Sequence, residues 1–255
     1  MKNRENRPQA ESAWIYGRRP VLEWLESGLP VKALLVAEDA GGKPLKEILH
    51  LAEQQRLSIR QVEARRLDLL AQTSKHQGIL AEAALPSYAT PADALARARE
   101  RNEPPLLAVL DGVQDPHNLG AVLRTADAAG VHGVVIPKDQ AVGLTPTVVK
   151  ASAGAAAFVP LVQETNLTRF LQELKKEGFW VTGTAEDGDR PFDKADFRGK
   201  TVIVLGSEGK GMRRLVREQC DFIVRIPMFG RVASLNVSVA AALLFYEARR
   251  QRTAF

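Results

Sequence analysis

The chain has 255 residues, of which 45% are hydrophobic and 25% charged, with a formal charge of +5. That is enough apolar material for a real core, in one large domain or two modest ones, and it excludes bulk disorder. A single cysteine, Cys220 beside Asp221, excludes an internal disulfide and a Cys-rich zinc site and reads as a buried structural thiol. With no secretory leader and no run apolar enough to span a bilayer, the expectation is a soluble cytoplasmic protein with no membrane partner.

Residues 1–12 are polar and aperiodic and read as a loose basic tail. From Ala13 to Pro86 a compact α/β pattern follows. Val21, Leu22, Trp24 and Leu25 mark a short helix, Lys32–Val36 a strand, and Leu45–Leu57 a helix with Leu45, Ile48, Leu49 and Ala52 on its apolar side. Strands are expected at Ser58–Val62 and Gln77–Ala81. Residues 87–104, with Pro91, Pro104, Pro105 and an Ala/Arg-rich helix between, read as a linker.

Residues 105–255 are more regular. Leu106–Leu110, Val131–Ile136, Phe158–Val162, Phe179–Gly183, Thr201–Leu205 and Phe222–Ile226 suit buried parallel strands. Helical patterns at Leu119–Ala129, Leu167–Glu177 and Leu235–Arg250 alternate with them. The fold class is therefore α/β, a mostly parallel sheet with helices on both faces.

The unusual residues gather at the carboxyl ends of these strands, where open α/β sheets hold their ligands. After Leu106–Leu110 comes Asp111-Gly-Val-Gln-Asp115-Pro-His117-Asn118, in which Asn118 is placed to cap the next helix. Arg124 falls off that helix's apolar stripe of Leu119, Val122, Leu123 and Ala126, so it can face the crevice; a solvated arginine is the plainer account. His117 is as readily a turn residue as a functional one.

After Thr201–Leu205 comes Gly206-Ser-Glu208-Gly-Lys-Gly-Met212, three glycines that bare the backbone to a ligand around one carboxylate. It is not a phosphate-binding Walker loop, since Met212 follows Gly211, and no G-x-G-x-x-G follows a strand. The third segment, Ile226 to Ser238, holds Ser234, a natural cap, with Asn236 and Ser238 just inside the helix, where poor helix formers need another reason. Basic residues cluster at Arg18–Arg19, Arg65–Arg66, Lys75–His76, Arg213–Arg214–Arg217 and Arg249–Arg250–Arg252. Each alone is most simply a solvated face, and together they make RNA a reasonable partner.

The segments around Asn118–Ala126, Ile203–Gly211 and Ile226–Val239, in that order, resemble the three motifs of the SpoU (TrmH-type) branch of the SPOUT methyltransferases. Ile15-Tyr-Gly-Arg-Arg-Pro-Val21 and Lys75-His-Gln-Gly-Ile79 resemble the substrate-binding domain of the 23S rRNA guanosine 2′-O-methyltransferases. The resemblance implies a C-terminal trefoil knot, an L30e-like RNA-binding domain at 13–86, a catalytic domain at 105–255 and a homodimer. It also implies S-adenosylmethionine as methyl donor and no metal, with 23S rRNA as substrate. Carried over residue by residue, it makes Asn118, Arg124, Glu208, Ser234 and Asn236 the catalytic set, and Gly183, Thr184, Gly206, Ile226 and Leu235 the cofactor contacts. Arg124 is the family's proposed base, yet a guanidinium is a poor one, and a phosphate clamp is the chemically easier role. Glu208 would take the proton or hold Arg124. The alternatives are the same chemistry on tRNA or another rRNA position, and a non-catalytic RNA-binding protein on the same scaffold.

Overall fold

The computed structural model describes residues 12–253, which divide into two compact units. The expected tail lies outside the described residues except for Ser12, which opens the first strand.

The first unit runs to Ser87 and includes Leu144–Lys150. In chain order it contains β1 (Ser12–Tyr16), α1 (Arg18–Glu26), β2 (Val31–Ala37), α2 (Lys43–Gln54), β3 (Ser58–Val62), α3 (Ala64–Ala71) and β4 (Ile79–Ala84). The strands form one sheet in the order β1-β4-β2-β3, with only β2 and β3 parallel. Trp24, Leu25, Leu34, Ile48, Leu67 and Leu80 are fully buried and make its core. β1 and α3 were not expected from the sequence. Only Leu67 of α3 is buried, so its Arg-rich turn shows no clear apolar stripe.

The second unit comprises Tyr88–Gly143 and the chain from Ala151. Its elements are α4 (Pro91–Glu100), β5 (Leu106–Asp111), α5 (Pro116–Ala129), β6 (Gly133–Pro137), β7 (Leu161–Glu164), α7 (Leu167–Lys176), β8 (Trp180–Thr184), β9 (Arg190–Pro191), β10 (Thr201–Gly206), α8 (Arg214–Arg217), β11 (Phe222–Arg225) and α9 (Val237–Arg252). The short α6 (Pro146–Ala151) lies in the excursion that belongs with the first unit. All strands pair in parallel, in the order β7-β6-β5-β10-β8-β11-β9.

Burial on both faces explains the near-continuous apolar strands. Leu107, Val109, Val202 and Val204 face a cluster with Ala94, Leu167, Phe170, Leu171 and Leu174 of α4 and α7. On the opposite face α5 and α9 pack against each other and against β6 and β10.

Three expectations shift. The segment 87–104 contains α4, whose Ala94 and Ala98 are buried, and Ala89 bridges to Val162 in parallel. It is thus core of the second unit rather than a tether. The strand expected at Phe158–Val162 begins only at Leu161, and Phe158 is exposed. Helix α5 begins two residues before Asn118, with Asp115 as its cap; the Asp115 carboxylate accepts the His117 amide at 2.7 Å, and Pro116 supplies a preset first-turn φ.

Candidate active site

β10 sits between β5 and β8, so the loops after β5, β8, β10 and β11 meet at one end of the sheet. There the loops after β8, β10 and β11 enclose a cavity of about 780 Å³, within the roughly 300–1,000 Å³ typical of small-molecule sites. Leu205, Ile226, Met228 and Leu235 give it apolar walls, while Glu186, Asp187, Lys210 and Arg217 bring charge.

The loop Ser207–Met212 closes on itself. The Ser207 amide donates to the Gly211 carbonyl at 3.1 Å, and the Gly211 amide returns a bond to Ser207 at 2.9 Å. A Cβ on Gly206 would lie 2.1 Å from the Gly211 carbonyl carbon, so only glycine lets the two strands of the loop approach this closely. Thr184, at the end of β8, also lines the cavity; its buried hydroxyl has no hydrogen-bond partner among the described residues. A buried polar group left without a partner is costly, and this one lies in the cavity wall.

Beside the cavity, residues far apart in sequence form one hydrogen-bonded cluster. Glu208 Oε1 accepts from the Asn236 side-chain amide at 2.7 Å, from that of Asn118 at 3.2 Å and from the Val237 backbone at 3.4 Å. The Asn236 amide also donates to Asn118 Oδ1 at 2.9 Å. Asn236, not Ser234, caps α9, its Oδ1 accepting from the backbone and hydroxyl of Ser238. This explains both poor helix formers noted in the sequence: Asn236 is the cap and Ser238 braces it.

Of the sequence-derived set, Thr184, Gly206, Glu208, Ile226, Ser234 and Leu235 line the cavity. Asn118 and Asn236 reach it through Glu208. Gly183 stands behind the wall: a Cβ there would meet Cys220 Sγ at 2.7 Å, Met212 Cε at 2.8 Å and Ile223 Cδ1 at 2.9 Å. Its smallness therefore serves packing. Arg124 is exposed on α5 and, among the described residues, engages neither a hydrogen bond nor an ion pair. Glu208 does not hold it; the carboxylate is occupied by the two asparagines. His117 is exposed, its backbone amide is held by the Asp115 cap, and its ring has no hydrogen-bond partner among the described residues. Cys220 donates to the Val216 carbonyl, and burial, aided by the neighbouring Asp221, pushes its thiol up to about 12. It is an inert packing residue.

Two basic clusters find their partners within the protein, although Arg214 and Arg250 stay exposed. Arg249 pairs with Glu103 and donates to the carbonyls of Ala129 and Gly130, while Arg252 donates to those of Phe197, Pro104 and Gly199. Arg213, Arg214 and Arg217 pair with Asp111, Glu218 and Asp187. The sequence reading missed Asp111, although an acid ending an otherwise apolar strand was a usable signal.

Cavity and cluster define an α/β protein in which a small-molecule site adjoins a set of hydrogen-bonding side chains. Residues 105–246 match the model of the SpoU rRNA Methylase family, and residues 14–89 match that of the RNA 2′-O ribose methyltransferase substrate-binding domain. The chain belongs to the SpoU rRNA methylase family. It is 48% identical over 225 residues to the 23S rRNA (guanosine-2′-O-)-methyltransferase RlmB of Pseudomonas syringae, covering 88% of this chain and 89% of that protein. A Bacillus subtilis relative assigned to the TrmH family of tRNA/rRNA methyltransferases, YacO, is 45% identical over 239 residues, 94% of this chain and 96% of the relative. Among solved structures, the SpoU methyltransferase AviRb from Streptomyces viridochromogenes, in complex with AdoMet, is similar with a TM-score of 0.65. It is 29% identical, covering 98% of this chain and 94% of that one.

Proposed function

We propose that this protein transfers a methyl group from S-adenosylmethionine to a ribose 2′-hydroxyl of RNA, its target a guanosine of 23S rRNA. The observation that carries this reading is the convergence of Asn118, Glu208 and Asn236 from three segments beside a cavity suited to the cofactor. The apolar walls fit an adenine, the charged residues fit an amino-acid end, and the unpartnered Thr184 hydroxyl offers a bond. When bound, S-adenosylmethionine supplies a methyl already activated by its cationic sulfur, which is why the reaction needs no metal.

The protein's own residues then have to hold the ribose in line and exclude other geometries. Arg124, exposed on α5 and without a partner among the described residues, is suited to clamp an RNA phosphate bidentately. Asn118 and Asn236, fixed by Glu208, orient the ribose, and exposed Ser234 lies at the cavity mouth. The first unit would grip the surrounding RNA. The protein would act in the cytoplasm as a homodimer, as the unpartnered apolar face of α9 favours: Val239, Leu243 and Tyr246 lie exposed at i, i+4 and i+7.

The test is methyl transfer from labelled S-adenosylmethionine to unmodified 23S rRNA and to tRNA transcripts, with the product ribose mapped. Label at one 23S guanosine is expected. Label confined to tRNA would move the target, and no transfer to either would remove the reading.

A further inference from the structure

Asp111 is the last residue of β5 and its side chain is wholly buried, yet it is a carboxylate. Deprived of water, such a group needs close partners. Among the described residues, all of its side-chain partners come from one residue. The Arg213 backbone amide donates to Oδ2 at 2.7 Å, and the guanidinium reaches Oδ1 at 2.6 Å through both Nε and Nη2. In the β10–β5 ladder, Asp111 is also the register partner of Gly206. The glycine-rich loop Ser207–Met212 therefore starts opposite Asp111 and ends on its carboxylate. Its interior is closed by the Ser207–Gly211 pair, and all of its residues line the cavity.

We propose that Asp111 is a positioning residue for the cofactor loop, acting through Arg213 to hold that loop in its ligand-binding form before the ligand arrives. This rests on the S-adenosylmethionine reading above. It also gives Arg213 a role inside the protein, beside Arg217, which lines the cavity and pairs with Asp187. Preorganisation of this kind raises affinity by removing the ordering cost from the binding step.

The test is Arg213→Gln. The Arg213 side chain is about half exposed (49%) and the backbone amide of residue 213 still reaches Asp111, and the far-UV spectrum of the variant checks that it is folded. Hydrogen bonds to charged groups set the scale: Kd for S-adenosylmethionine, measured by calorimetry, should rise roughly 10- to 100-fold. Kd for a 23S rRNA transcript should stay within about twofold. Arg213→Lys, which keeps one charged donor, should recover part of the loss, and Asp111→Asn should reproduce it. Amide exchange at Ser207 and Gly211 in the ligand-free protein should accelerate about tenfold in Arg213→Gln, as expected for a locally released segment. An unchanged cofactor Kd would overturn the proposal, as would an equal loss of RNA affinity. If the wild type bound no S-adenosylmethionine, the functional reading would fall, while the exchange rates would still decide whether Asp111 fixes the loop.

Discussion

Asn236 donates its side-chain amide to Glu208 across 2.7 Å, which ties the cap of α9 to the middle of the glycine-rich loop. Asn118 enters the same contact from α5. Glu208 is thus the acceptor at the centre of three chain segments, and Oε1 takes all three donors.

A carboxylate so engaged acts as an organiser. Gln at position 208 keeps a carbonyl oxygen where Oε1 stands, but it cannot accept a proton. Glu208→Gln should therefore retain kcat within about tenfold, whereas Glu208→Ala, which leaves both asparagines without their acceptor, should lose on the order of 100-fold. Single-turnover rates on a 23S rRNA transcript measure both. Loss of activity in the Gln variant equal to that in Ala would make Glu208 the base.

Arg124 invites a different expectation, because nothing among the described residues holds it. Removing it leaves the cavity intact and removes only a charge aimed outward. Arg124→Ala should lower kcat roughly 100- to 1,000-fold, the scale for losing a donor to developing negative charge, with cofactor Kd unchanged. A turnover near that of the wild type would end its assignment.

The Thr184 hydroxyl, buried and without a partner among the described residues, separates stability from binding. Thr184→Val is nearly isosteric and removes the unsatisfied group, so Tm should hold or rise. Kd for S-adenosylmethionine should increase about tenfold through the lost hydrogen bond. A fall in both stability and affinity would show that the hydroxyl is satisfied within the protein.

The sheet of the second unit was legible because its strands are buried on both faces and read as apolar runs, and the lining of the cavity was partly legible because its residues follow strand ends. What escaped were relations across the chain. Arg252 looks like a member of a basic cluster until Phe197, Pro104 and Gly199 bring their carbonyls to it. Asn118 looked like a cap, though Asp115-Pro116 carried the stronger local signal and is the start the structure uses. The helix in 87–104 looked like a tether because its fully buried residues are two alanines, too small to announce a core. Arg124 shows the reverse case: its type and place were plain in the sequence, while its role requires a partner outside the chain.

The apolar face of α9 gives a prediction about assembly. Val239 is 47% exposed, Leu243 38% and Tyr246 52%, while Ala241, Leu244, Phe245 and Ala248 bury the other face. Leu243→Arg with Tyr246→Arg should shift the mass in light scattering from dimer to monomer without changing the far-UV spectrum. A monomeric wild type would remove the homodimer.

His132 sets a pH limit on stability. It is fully buried just before β6, and its Nδ1 accepts the Leu106 amide at 3.0 Å, which leaves the ring proton on Nε2, 3.3 Å from Glu103 Oε2. Burial pushes its pKa down to about 4, against the partial opposition of Glu103. The folded state thus holds the ring neutral where the unfolded chain, at about 6.5, takes up a proton. Below about pH 6.5 the unfolded state binds more protons, so stability falls as pH drops towards 4. Between pH 7 and pH 5 this single group should cost about 2 kcal/mol. His132→Gln keeps an acceptor for Leu106 but has no proton to gain, so urea unfolding of that variant should lose this part of the pH dependence. An equal slope in both proteins would assign the acid sensitivity to the carboxylates instead.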